Sequence, residues 1–261
     1  MYVISERVNG MFKKVKKAIA EKDKKAIQEL AKKQVDCGSQ ALDINVGTAA
    51  DDPEKAMVWL VEAVQEVTEA TLCLDNPKLE VIKAGAEACK KPFLINSTTA
   101  KEPDLGQFMT FAAEKGASII GLTLDEKGVP NTTEARVEIG ARILTSAMEH
   151  GVPTDKVYID PITLPINVAQ DQPQKMLKSI EQFTMLSDPP PHIVIGLSNL
   201  SQRCKEKSLL NSVFLAMCIA SGLDAAILDP EDELLMNTMI TAEVLMNKAI
   251  YSDDYLKAYK A

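Results

Sequence analysis

Short apolar runs recur about every thirty residues along this chain, and nearly all of them end in Asp, Asn, Glu or Ser. In order they are Val3-Ile4-Ser5-Glu6, Ala41-Leu42-Asp43-Ile44-Asn45, Leu72-Cys73-Leu74-Asp75 and Leu94-Ile95-Asn96-Ser97. Ile119 to Asp125, Val157-Tyr158-Ile159-Asp160, Val194 to Asn199 and Ala226-Ile227-Leu228-Asp229 follow. Eight strand-like runs, each followed by a helical pattern, predict a (β/α)8 TIM barrel. Chemistry in that architecture sits at the C-terminal strand ends, so the repeated acid or amide predicts a polar ring there.

A length of 261 residues suits one barrel, and no linker or low-complexity stretch divides it, so residues 1–261 read as a single barrel domain. A formal charge of −8 without basic clusters argues against nucleic acid or anionic membranes as partners. The lysines at 13, 14, 16, 17, 24 and 25 are interleaved with acids and read as the solvated face of one helix. Five cysteines at 37, 73, 89, 204 and 218 lack CxxC spacing and read as reduced thiols of a cytoplasmic protein. The first residues lack the order of a signal peptide, and no apolar stretch reaches membrane-spanning length.

Helix starts and faces are legible. Asp52-Pro53 supplies a cap and a first-turn proline, and Asn76-Pro77 repeats that start. Met57, Leu60, Val61 and Val64 form one stripe, and Leu210, Val213, Phe214, Met217 and Cys218 form that of the seventh barrel helix. Gly38, Gly116 and Gly222 mark returns from helix to strand. The prolines at 189, 190 and 191 read as a rigid loop on the bottom face, and Ser252 to Lys260 as a short closing helix.

The ring is informative by what it lacks. Only two histidines occur: His150 late in a helix, and His192 ahead of the seventh strand on the wrong face. A transition-metal site has no ligand set, although oxygen ligands alone would suffice for magnesium. No lysine ends a strand, so Schiff-base chemistry has no nucleophile, and Gly196 alone is weak support for a phosphate loop. What the ring has is two carboxylates, Asp75 and Asp160, and the amides Asn96, Asn199 and, as a further candidate, Asn45. Carboxylates only accept hydrogen bonds, whereas amides donate and accept. Together they suit a flat heterocycle bearing a guanidine-like edge and a lactam, the pattern of a pterin.

Plainer readings stand beside these. Asp75 reads equally as the cap of the next helix, and Asp229 before Pro230 reads as a cap. Asp125 precedes a turn and reads as solvated, and Asp43 could equally be buried against Arg7. Asn199 stands out because Ser198 precedes it and Ser201-Gln202-Arg203 follows, all beyond one strand end.

At these residues the chain resembles the pterin-binding methyltransferases that move a methyl group between methyltetrahydrofolate and a corrinoid protein. The resemblance is to the methyltetrahydrofolate:corrinoid/iron-sulfur protein methyltransferases of acetogenic bacteria in particular. Segments carrying the resemblance are 6–12, 41–47, 71–75, 95–98, 158–161, 167–171 and 196–199, spread over essentially the whole chain. The resemblance implies that Asp75, Asn96 and Asp160 hold the pterin edge and that Asn199 reaches N5, the methyl-bearing nitrogen. It places Gly196, Ser198 and Gln202 near the same pocket. It also implies that Asn199 and Asp160 are catalytic, and that cobalamin is carried by a partner. That partner would be a corrinoid/iron-sulfur protein or the corrinoid protein of a demethylase system, and the chain itself would be a homodimer. A dihydropteroate synthase, or a pterin-binding subunit without turnover, are the competing readings. The arginine-rich segment expected of such a synthase is not evident here.

Overall fold

A computed structural model describes residues 1–48 and 50–251. Its strands are β1 (Tyr2–Ser5), β2 (Ala41–Asn45), β3 (Thr71–Asp75), β4 (Leu94–Thr99), β5 (Ser118–Leu122), β6 (Val157–Asp160), β7 (His192–Gly196) and β8 (Ala225–Leu228). They close in sequence order, β1 against β8, with every pairing parallel. The helices are α1 (Lys13–Ala20), α2 (Lys24–Asp36), α3 (Pro53–Gln65), α4 (Leu79–Ala88), α5 (Asp104–Lys115), α6 (Thr133–Glu149), α7 (Gln172–Phe183), α8 (Lys207–Ser221) and α9 (Glu233–Leu245). This is the (β/α)8 barrel that the recurring runs predicted.

Two cores follow from the strand period of two. Ile4, Ala41, Cys73, Leu94, Ile120, Val194 and Ala225 fill the barrel interior. The alternate residues, such as Val3, Leu42, Leu74, Ile95 and Ile195, join the larger layer between strands and helices. The inward phase decides which polar residues can reach the mouth. Continuing each inward series upward gives Glu6, Asp43, Asn45, Asp75, Asn96, Asp160, Gly196 and Asp229.

Local chemistry explains most element boundaries. Asp52 caps α3 by accepting from the Lys55 N–H (3.1 Å), with Pro53 in the first turn. Met57, Leu60, Val61 and Val64 are fully buried as the helical spacing predicts. Gly116 and Gly222 end α5 and α8 with positive φ of 60° and 117°.

Several expectations need correcting. The Lys-rich segment is two helices, α1 and α2, although its lysines are indeed exposed. Asn76-Pro77 does not start α4: Asn76 Oδ1 accepts from the Lys78 N–H in a local turn, and the helix begins at Leu79. The fifth strand stops at Leu122, short of Asp125, and the seventh stops at Gly196, with Leu197–Asn199 wound into a 3-10 turn. His192 is the first residue of β7 rather than preceding it. On α8 the buried stripe runs through Phe214, Leu215, Cys218 and Ile219, leaving Val213 and Met217 about half exposed. The expected stripe was rotated by one residue, about 100° around the helix. The closing helix expected over Ser252 to Lys260 lies outside the described residues.

Candidate active site

The strands place their inward polar residues at the C-terminal mouth of the barrel. Asp75 stands beside Asn45 in the β2–β3 register and beside Asn96 in the β3–β4 register. Asn45 Nδ2 donates to Asp75 Oδ2 (2.6 Å), while its Oδ1 accepts from the Gly47 N–H (2.6 Å). Asn45 is thereby committed to holding the Asp75 carboxylate. Its loop is fixed by an interlock with the loop after β1. A Cβ on Gly10 would come within 2.4 Å of the Val46 carbonyl oxygen, and Gly47 has φ of +74°. Only glycine permits that approach.

Asp43 lies one inward step below and is almost fully buried. It does not pair with Arg7, as one reading of the sequence had it. Asn96 Nδ2 donates to its Oδ1 (2.9 Å), and the Cys73 thiol and the Asp75 carboxylate are its further partners. Arg7 instead faces Asp229 at 3.4 Å and lies over the Phe12 ring. Burial, and then the charge of Asp75, hold the Asp43 carboxyl well above the usual carboxylate range. Asp75 is also raised, by burial, with Asn45 opposing. Two carboxyls this close in a low-dielectric site do not both ionise, and Asp43 keeps the shared proton.

Asp160 ends β6 and is 7% exposed. Its carboxylate accepts from the backbone N–H of Ile162 (2.7 Å) and from that of Gly196. Burial pushes its pKa up to about 7, against the opposing pull of those donors. That value lets the group hold or release a proton near neutrality.

Asn199 is exposed at the mouth, in the 3-10 turn after β7. Gln202 Nε2 donates to its Oδ1 (2.8 Å), so the oxygen is committed and the NH2 end is the one available to donate. Ser198 Oγ donates to Glu6 Oε1 (2.8 Å), joining the ends of β7 and β1. Burial raises the Glu6 pKa, with Ser198 opposing.

The structure therefore brings Asp75, Asn96, Asp160, Gly196, Ser198, Asn199 and Gln202 to one end of the barrel. Two plainer readings change. Asp229 accepts from the Glu231 N–H (3.1 Å) in a turn, and Asp232 caps α9. Asp125 is in the expected turn, yet its side chain is 14% exposed and faces Arg142 at 3.7 Å rather than open solvent. Glu6 and Asp43 are mouth residues that the chosen set omitted. Their signal was strand parity, since both share the phase of the interior side chains. Among the described residues no group of three or more His, Cys, Asp or Glu side chains is arranged to hold a metal ion.

The chain matches known proteins over most of its length. Residues 8–229 match the family described as pterin binding enzyme. The chain is 30% identical over 262 residues to the methylcorrinoid:tetrahydrofolate methyltransferase of Eubacterium limosum, covering 100% of this chain and 96% of that protein. It is also 30% identical over 247 residues to the methionine synthase of Mycobacterium tuberculosis (strain ATCC 25618 / H37Rv). That match covers 90% of this chain but only 21% of the longer protein. A crystal structure of Yersinia pestis dihydropteroate synthase superposes with a TM-score of 0.68 at 14% identity, covering 95% of this chain and 92% of that one. That likeness concerns the fold alone. By the match over residues 8–229, this chain belongs to the pterin-binding enzyme family.

Proposed function

We propose that the protein transfers a methyl group between N5 of methyltetrahydrofolate and the cobalt of a corrinoid held by a partner protein. The observation carrying this reading is the inward layer of Asp75, Asn96 and Asp160 facing the mouth beside the Asn199 amide. Asp75 and Asn96 offer an acceptor and a donor–acceptor to the amino and lactam edge of a pterin. The name of the Eubacterium limosum relative, and its coverage from end to end, supports folate and corrinoid as the two methyl carriers.

The residues suit the chemical demand. A methyl on a tertiary amine leaves only when charge developing on N5 is stabilised. Asn199 would donate to N5, and Asp160, with its pKa about 7, would supply or relay the proton. Nothing in this scheme requires a covalent intermediate on the protein; positioning and preorganised donors carry the rate. Reduced cob(I)alamin supplies the nucleophile as the second substrate. The partner would be a corrinoid/iron-sulfur protein or the corrinoid protein of a demethylase system.

A homodimer in the cytoplasm completes the reading. Leu209, Val213 and Met217 form an exposed apolar stripe on the α8 side, and Leu234 and Leu245 are exposed on α9, a surface suited to a second copy. No helix among the described residues is long and apolar enough to cross a membrane. The deciding experiment mixes the protein anaerobically with methyltetrahydrofolate and cob(I)alamin and follows the cobalt absorbance. Enzyme-dependent formation of methylcobalamin is expected. Release of diphosphate with aminobenzoate and a pterin diphosphate would favour a synthase. Pterin binding without turnover, given a competent corrinoid protein, would favour a binding subunit.

A further inference from the structure

Ile162, two residues beyond Asp160, has φ of +63°, in the left-handed region. Among the described residues it is the only β-branched one with positive φ. For such a residue the conformation is a true outlier, because its Cβ crowds the following carbonyl. Glycine or asparagine would sit there with less strain.

The backbone has an identifiable cause, because the chain is tied on both sides of Ile162. The Ile162 N–H donates to Asp160 Oδ1 at 2.7 Å. The Asp160 carbonyl accepts from Thr123, both from its N–H (2.9 Å) and from its Oγ1 (3.0 Å). Four residues on, the Ile166 N–H donates to the Leu200 carbonyl (2.9 Å), fastening this loop to the turn that carries Asn199. A strained residue persists where its surroundings over-determine it in this way. The ties account for the main chain alone, since the N–H of a glycine would bind the same carboxylate.

Core packing does not account for the side chain either. Ile162 is half-buried, yet among the described residues it joins neither the barrel interior nor the layer between strands and helices. Ile166, on the same loop, does pack on that outer layer. So do Val8, Val46 and Leu197 from the other mouth loops, all of them buried there. The inward ring of acids, amides and Gly196 gives polar partners to the edge of a flat ligand. It gives no apolar surface to the faces of that ligand, which gain from apolar contact.

We propose that Ile162 is a substrate-contact residue, the apolar plate on which the face of a planar ring rests while its edge binds Asp160 and the neighbouring amides. The strain is retained because glycine, which the backbone prefers, would leave that face against water. This deepens the pterin reading above and rests on it.

Ile162→Gly separates contact with the ligand from packing. It relieves the backbone and keeps the N–H on Asp160, so Tm should stay within about 4 °C of the parent or rise. Tetrahydrofolate affinity, measured by equilibrium dialysis, should fall about 10-fold, as when one branched side chain is no longer covered by ligand. A pterin lacking the benzoyl-glutamate tail should lose affinity by the same factor, since the contact is with the ring. Ile162→Asn also tolerates the left-handed region, should behave alike, and serves if the glycine variant does not fold. Parent-like affinity in either folded variant would overturn the proposal. A larger loss of Tm in both would assign the side chain to packing and overturn it as well. A loss seen with tetrahydrofolate but not with the simple pterin would place the contact on the tail, against the proposal. If the parent binds neither ligand, the pterin reading itself fails; if the parent binds and the variants bind equally, only the role of Ile162 fails.

Discussion

The Asn199 side chain occupies the space that a side chain at residue 196 would need: a Cβ built on Gly196 would lie 2.9 Å from Asn199 Nδ2. Gly196 is therefore what lets the amide settle over the end of β7, with Gln202 fixing its oxygen. Gly196→Ala should push the amide aside and lower methyl transfer by about 10- to 100-fold, as small misplacements of a reacting group do. Asn199→Ala should lower it on the order of 10²-fold by removing one preorganised donor. Single-turnover rates with cob(I)alamin check both, and near-normal rates in Asn199→Ala would refute its assignment.

The Asp43–Asp75 pair predicts an asymmetry between its members. Asp75→Ala should weaken tetrahydrofolate binding by about 10- to 100-fold, through loss of a charge-assisted hydrogen bond. Asp43→Asn should bind almost as the parent does, because Asp43 is already neutral and the amide is its nearest isostere. Equilibrium dialysis decides it: a large loss in Asp43→Asn would mean that the shared proton had been placed on the wrong carboxyl.

The raised pKa of Asp160 predicts a stability that falls as pH rises. Between the unfolded value near 3.9 and about 7, the native state binds more protons than the unfolded state, so this group destabilises progressively across that window. Asp160→Asn should therefore match the parent near pH 4 and exceed it near pH 8. A difference of roughly 1 kcal/mol corresponds to about 2–4 °C in Tm for a domain this size. Parallel melting curves across that range would count against the shift.

On the opposite face, His192 Nδ1 lies 2.6 Å from Asp224 Oδ2 and its ring stacks on Tyr158 at 4.6 Å. The hydrogen bond that His192 Nδ1–H donates to the Asp224 carboxylate is the main cause raising the His192 pKa. Its stabilising contribution is complete below about pH 6.5 and is lost as pH rises through the raised value. His192→Phe, which keeps a stacked ring, should be less stable than the parent at pH 6 and approach it at high pH. Both residues are partly exposed, so the difference should be small and weakened by salt.

The barrel was legible in the sequence because its signal repeats: eight runs with the same period and the same kind of ending reinforce one another. The individual boundaries were less so. Leu122 and Asp125 differ by three residues, and nothing in the run Ile119 to Asp125 marks where pairing with β6 stops. Asp75, Asn96 and Asp160 were legible because strand ends point them to one mouth. The burial of Arg136 in α6 was not, since a lone arginine in an amphipathic helix looks solvent-facing until the loops holding Pro130 and Gln172 close over it. Asp43 and Asp229 were misjudged for a related reason: their partners, Asn96 and Glu231, are set by register and turn geometry, which spacing alone does not encode.

The mouth carries Glu6, Asp43, Asp75 and Asp160, each with its proton affinity raised by burial. A ligand that donates hydrogen bonds to Asp160, whose pKa lies at about 7, will expel protons into the medium near neutrality as it docks. Heats measured for the same docking event in phosphate and in Tris should then differ by the ionisation enthalpies of those buffers. The slope of that difference would count the protons leaving the barrel.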